Sequence, residues 1–159
     1  MTISKRDYDW HTYFLDMCSV VAIKSKDRST KVGAIIVGPD NEIRTTGYNG
    51  FPRGVNDEVD SRHERPEKYL WTIHAEQNAI CAAALVGTPT KGCKMYVGLH
   101  PCSQCTAHII NAGITEIVID NRDVESKKAV YERYADDFVK AKDMLKENGT
   151  VAVTMINKD

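Results

Sequence analysis

Two short polar motifs, His74-Ala75-Glu76 and Pro101-Cys102-Ser103-Gln104-Cys105, each stand at the start of a predicted helix, with 28 positions from His74 to Cys102. That interval holds an Ala-rich helical pattern over 74–86 and an extended run over 94–99, so it spans one strand-and-helix unit. Further segments follow the same rhythm. The spacing predicts a helix over 103–112 ended by Gly113, a strand over 116–120, a long helix over 126–147 closed by Asn148-Gly149, and a last strand over 151–156. Strands joined through single helices call for parallel neighbours and right-handed crossovers.

The front of the chain differs. Trp10, Tyr13, Phe14, Met17, Cys18, Val21 and Ala22 recur at helical spacing, so a helix starting near residues 4–7 is expected. Two extended runs, 31–37 and 42–48, flank Gly38-Pro39-Asp40-Asn41 and read as an antiparallel hairpin. The expected order is α-β-β-α-β-α-β-α-β, a mixed five-stranded sheet with helices on both faces, in a single domain over residues 1–159. Residues 49–70 carry Gly, Pro and charges with no period, and a stretch of that length is expected to border a functional site.

Composition narrows the classes of function. The 159 residues are 42% hydrophobic and 27% charged with a net charge of -1, a poor match for a chain that tracks a phosphate polymer, so nucleic acid is not an expected partner. No run of 18 apolar residues occurs and residues 1–10 are polar, which argues for a cytoplasmic protein and against a membrane one. Five cysteines in a reducing compartment favour metal binding or catalysis over disulfides. Cys102 and Cys105, three apart on a first helical turn, put two sulfurs on one side, and His74 can supply a third ligand, leaving tetrahedral zinc one open place. Glu76 does not share a helix face with His74 and is better placed to handle the protons of a water. A closed structural zinc site is the bland alternative, with Cys93, His100, Cys81 or His63 as fourth ligand. Cys18 and Cys81 fit buried helix positions. His11 and His108 read as packed or surface residues, and His63 as solvated, although it could reach the pocket or a second metal.

His-x-Glu with Pro-Cys-x-x-Cys is the signature of zinc deaminases. The chain resembles the deoxycytidylate deaminase branch of the zinc-dependent cytidine/deoxycytidylate deaminase superfamily. The matching stretches are Val32-Gly33-Ala34, Gly47-Tyr48-Asn49-Gly50-Phe51-Pro52-Arg53-Gly54, His74 to Ile80, Pro101 to Cys105, and Ile109 to Ile114. The resemblance implies a three-layer α-β-α cytidine deaminase-like fold and hydrolysis of dCMP to dUMP, a thymidylate precursor, and ammonia. It implies zinc on His74, Cys102 and Cys105, Glu76 as base and then acid, Asn49 facing the sugar, and the Ala75 N–H meeting the pyrimidine. Lys24 and the substrate-binding candidates Lys26, Arg28 and Lys31 form a cationic cluster that could hold the 5′-phosphate, in competition with Arg53, Arg62 and Arg65. Members of this branch imply a homohexamer activated by dCTP and inhibited by dTTP, often with Mg²⁺ on the effector phosphates. Tyr48, Gly50, Arg53, Arg62 and Arg65 are the candidates for that effector site. Tyr131 or Tyr134 could close the pocket. A polynucleotide or nucleoside cytosine deaminase and a non-catalytic zinc interaction module are the alternative readings.

Overall fold

The structure, a computed structural model, describes residues 8–158. The expected start of the first helix at residues 4–7 lies outside them. As described, helix α1 (Trp10–Ala22) opens after Asp9, whose carboxylate accepts a hydrogen bond of 2.7 Å from the Thr12 N–H. Strands β1 (Gly33–Val37) and β2 (Ile43–Tyr48) form the antiparallel hairpin. Then come a short helix α2 (Lys68–Trp71), helix α3 (Ala75–Val86), strand β3 (Lys94–Val97), helix α4 (Ser103–Asn111) and strand β4 (Glu116–Asn121). Helices α5 (Lys128–Arg133) and α6 (Ala135–Asn148) and strand β5 (Ala152–Asn157) follow.

The sheet order is β2-β1-β3-β4-β5, with β3, β4 and β5 parallel and β1 antiparallel to both of its neighbours. Strands β2 and β3, joined through α3, do run the same way, but β1 lies between them. Alternation along the strands sorts side chains to two faces. Ile35, Val37, Tyr96 and Val118 pack against Phe14, Leu15 and Cys18 of α1, while Ala34, Ile36, Met95, Val97, Ile117 and Ile119 pack against α3, α4 and Leu145 of α6. The mixed sheet with helices on both faces is therefore as expected. No helix among the described residues is long and apolar enough to cross a membrane.

Two glycines fix how closely helices approach the sheet. A Cβ on Gly33 would stand 2.0 Å from the Cys18 carbonyl oxygen of α1, and one on Gly47 would stand 2.3 Å from both the Ala75 carbonyl oxygen and the Ala79 nitrogen of α3. Any side chain at Gly47 would push away the helix start that carries His74 and Glu76.

Three local expectations change. The predicted long helix over 126–147 breaks at Tyr134, which leaves helical geometry (φ -102°, ψ 13°) between α5 and α6. The unpatterned stretch 49–70 contains a 3₁₀ turn at Asp60–His63 and the start of α2. Cys81, expected to be buried, is exposed, because the buried face of α3 is Ala75, Glu76, Ala79 and Ala83; Cys18 is buried.

Candidate metal centre and active site

The two polar motifs sit at neighbouring helix starts. His74 is the extended residue before α3 and Cys102 the one before α4, while Cys105 lies in the first turn of α4. His74 Nδ1 is 3.4 Å from the sulfur of Cys102 and 3.4 Å from that of Cys105, and all three ligand atoms lie within 4.8 Å of one another. Zinc bonds of about 2.1 Å to nitrogen and 2.3 Å to sulfur imply a tetrahedral N-to-S edge of about 3.6 Å. The cluster therefore has the size and the donor chemistry of a three-ligand zinc site.

Among the described residues no fourth His, Cys, Asp or Glu joins this cluster. His100 is buried with its Nδ1 2.8 Å from the Pro101 carbonyl oxygen, and His63 has its Nε2 2.6 Å from the Asp57 carbonyl oxygen. Among the described residues, a closed four-ligand structural site has no fourth partner.

Electrostatics also suit a cation. The hydrogen bond from Cys105 and the contact with His74 pull the Cys102 thiol well below its usual range, whereas the bond to Cys102 and burial push Cys105 up. Two thiolates so close together repel each other, and a divalent ion is the group that lets both be ionised at once. Ser103 N donates to an Asp137 carboxylate oxygen over 2.8 Å and Ser103 Oγ donates to the other over 2.5 Å, so α6 ties down the start of α4. No sequence motif marks Asp137.

Glu76 is 5% exposed, and burial raises its carboxyl above the ordinary range. It lines an open cleft of about 710 Å³, solvent at the mouth included, together with His74, Ala75 and Cys102. Ala75 is the first residue of α3, so its N–H is one that a helix leaves without an internal partner. Asn49 lines the cleft too, yet its side chain is tied to backbone: Oδ1 accepts from Val32 N and Nδ2 donates to the Thr30 carbonyl oxygen, each over 2.8 Å.

The cations of the cleft are not those of the expected cluster. Lys26 pairs with Asp57 at 2.9 Å and Arg28 with Asp60 at 2.7 Å, and neither they nor Lys31 line it. Arg65, Lys68 and Arg133 do. Lys68 is buried against Asp27 at 2.8 Å, and Asp27 accepts further bonds from the N–H groups of Ser29 and Thr30. Burial lifts the Asp27 carboxyl, but Lys68 and those donors outweigh it and hold it at about 2. Lys68 and Arg133 carried no signal in the sequence, since only the fold brings them to the site. Of the two tyrosines, Tyr134 lines the cleft while Tyr131 packs behind it on Phe138.

A second cavity lies beside the first, lined by Lys24, Lys26, Tyr48, Gly50, Phe51, Asp57 and His63, and it shares Asp27, Lys68 and Thr72 with the cleft. His63 stacks on Phe51 at 4.9 Å and is half-buried rather than solvated. Tyr48 and Gly50 line this cavity; Arg53 and Arg62 line neither, and Arg62 lies over the Trp71 ring at 4.0 Å.

A three-layer α/β fold that sets His, Cys and Cys around one point, with a buried glutamate in the adjoining cleft, defines a zinc-binding hydrolytic deaminase. Residues 8–121 match the cytidine and deoxycytidylate deaminase zinc-binding region. The chain belongs to that family. It is 40% identical over 125 residues to the human (Homo sapiens) deoxycytidylate deaminase, covering 74% of this chain and 69% of that one. It is 37% identical over 150 residues to an uncharacterized deaminase encoded in the luxG 3′ region of Aliivibrio fischeri, covering 94% and 95%. Its fold is similar to that of the dCMP deaminase of cyanophage S-TIM5, with a TM-score of 0.71 at 21% identity over 97% of this chain and 100% of that one.

Proposed function

We propose that this chain hydrolyses dCMP to dUMP and ammonia, with zinc held by His74, Cys102 and Cys105. The observation that carries the reading is the buried Glu76 beside a three-ligand site with an open place, where both border one open cleft. Identity to a curated deoxycytidylate deaminase supports the substrate. When bound, zinc supplies the Lewis acidity that makes the attacking water acidic. The Ala75 N–H holds the pyrimidine, and Asn49 lies beside the sugar. Glu76 takes one proton from the water as its oxygen bonds to C4 and delivers it to N3, so the ring gathers no negative charge. Glu76 then carries the remaining proton to the exocyclic amine, the C4–N bond breaks, and ammonia leaves. Ammonia release from dCMP, deoxycytidine, cytosine and a cytosine-containing oligonucleotide, measured in parallel on zinc-loaded protein, tests this. The monophosphate should be the best substrate; release from the oligonucleotide alone would make the chain a polynucleotide deaminase, and release from none a binding module.

The second cavity supports a regulatory reading. A triphosphate effector, dCTP as activator or dTTP as inhibitor, would sit by Tyr48, Gly50, Lys24 and Lys26, with Mg²⁺ on its phosphates. The shared Asp27, Lys68 and Thr72 give the two cavities a common wall. Ile73 extends that link, since its backbone exchanges hydrogen bonds with Gly50 and it precedes His74. The substrate curve should be sigmoidal without dCTP and hyperbolic with it; a curve indifferent to both effectors would refute this part alone.

A further inference from the structure

The region matched by the family ends at residue 121, yet one side of the substrate cleft is built from later residues: Val130, Arg133, Tyr134 and Phe138. These flank the break at Tyr134 between α5 and α6, and Arg133 is the last residue of α5. Arg65 reaches the same cleft from the stretch before α2, with its Nε donating to the Tyr69 hydroxyl over 3.0 Å and an NH₂ donating to Ser29 Oγ over 3.2 Å. Both residues line the one cleft that also holds Glu76 and Tyr134. Burial raises the Tyr134 phenol, and Arg133 and Arg65 both pull it back down.

Ion pairing sets these cations apart. Lys26, Arg28 and Lys68 each face an aspartate within 2.9 Å. Among the described residues no carboxylate lies within ion-pair distance of Arg65 or Arg133. Two cations without a counter-ion at the mouth of a cleft form an anion site, and the planar fork of each suits the oxygens of a phosphate.

We propose that Arg133 and Arg65 together hold the 5′-phosphate, so that α5, beyond the family's zinc-binding region, is the element that makes a nucleoside monophosphate the substrate. This rests on the reading of the substrate as a deoxycytidine nucleotide. Catalytic groups on α3 and α4 then act on the base, and the choice between nucleoside and nucleotide is made by a separate stretch of chain.

Binding of the product dUMP and of deoxyuridine, measured by calorimetry on zinc-loaded protein, tests the clamp without turnover. Wild type should bind dUMP far more tightly, and Arg133→Ala should shrink the dUMP-to-deoxyuridine affinity ratio by about 10- to 100-fold, the worth of hydrogen bonds to a charged group. Arg133→Lys, which keeps the charge and loses the fork, should fall between them. Arg133 is exposed, so its truncation leaves the core intact, and an unaltered thermal midpoint will verify that. A ratio unchanged by Arg133→Ala, or a wild type that does not distinguish the two ligands, overturns the proposal. Turnover of dCMP is scored apart: an inactive wild type that keeps the ratio refutes the deaminase reading and upholds the clamp.

Discussion

Glu76 is the residue whose loss should separate binding from chemistry. Glu76→Gln keeps the size of the side chain and removes the proton shuttle, so kcat should fall by about 100- to 10,000-fold while zinc content and dUMP affinity hold. Near-normal kcat in a metallated Glu76→Gln protein would remove the proposed mechanism. Asp27 offers a test through pH. Its carboxyl is held at about 2 in the folded protein against an ordinary 3.8, so the stability it adds is present above pH 4 and fades as pH falls toward 2. Wild type should exceed Asp27→Asn by about 2 kcal/mol near pH 6, from urea midpoints, with the gap closing between pH 4 and pH 2. A gap that stays constant would mean the Lys68 pair does not hold the proton off. At this scale the sequence was informative where motif and spacing coincide, as at His74, Glu76, Cys102 and Cys105. It was silent on Arg133 and Lys68, whose place at the cleft depends on long-range packing.

The elements that hold the site make their own demands. Gly47 of β2 lets the start of α3 touch the sheet, so Gly47→Ala must move that helix or strain the strand. The expected cost is about 3 kcal/mol, which lowers the thermal midpoint by about 6 to 12 °C and weakens zinc binding with it. An unshifted midpoint would show that α3 can back away freely. Asp137 on α6 anchors the other ligand-bearing helix through Ser103. Asp137→Ala should lower zinc affinity by about 10- to 100-fold in competition with a chelator, as expected when the partner that orients a ligand is lost. Unchanged affinity would make that contact purely structural. Strand and helix positions were largely readable from periodicity, but the break at Tyr134 was not. Val130, Tyr134, Phe138 and Leu145 keep helical spacing through it, and neither Pro nor Gly marks it. Cys81 was misplaced for a related reason: an Ala-rich helix gives little contrast between its faces, and the tight Ala75-Ala79-Ala83 contact decides which one is buried.

For the molecule as a whole, the mixed sheet was legible and its strand order was not. Pattern shows that β2 and β3 are joined through a helix; that β1 lies between them follows from pairing over a distance in sequence. Association belongs to this scale as well. Trp10 and Val20 on α1 and Ile23 just after it are 56%, 65% and 69% exposed, and the homohexamer that the family resemblance implies would bury apolar residues of this kind. Sedimentation should give an assembly larger than a dimer; a monomer at micromolar concentration would refute it. Strand β1 is buried at all five positions and hydrogen-bonded on both sides, whereas α5 has no buried residue. Amide exchange on the two should therefore differ by orders of magnitude, since α5 can open locally while β1 opens only with the whole domain. Local opening of α5 would uncover the wall of the cleft that carries Val130 and Arg133. The starts of α3 and α4, braced against the sheet and α6, should then keep the metal ligands in place.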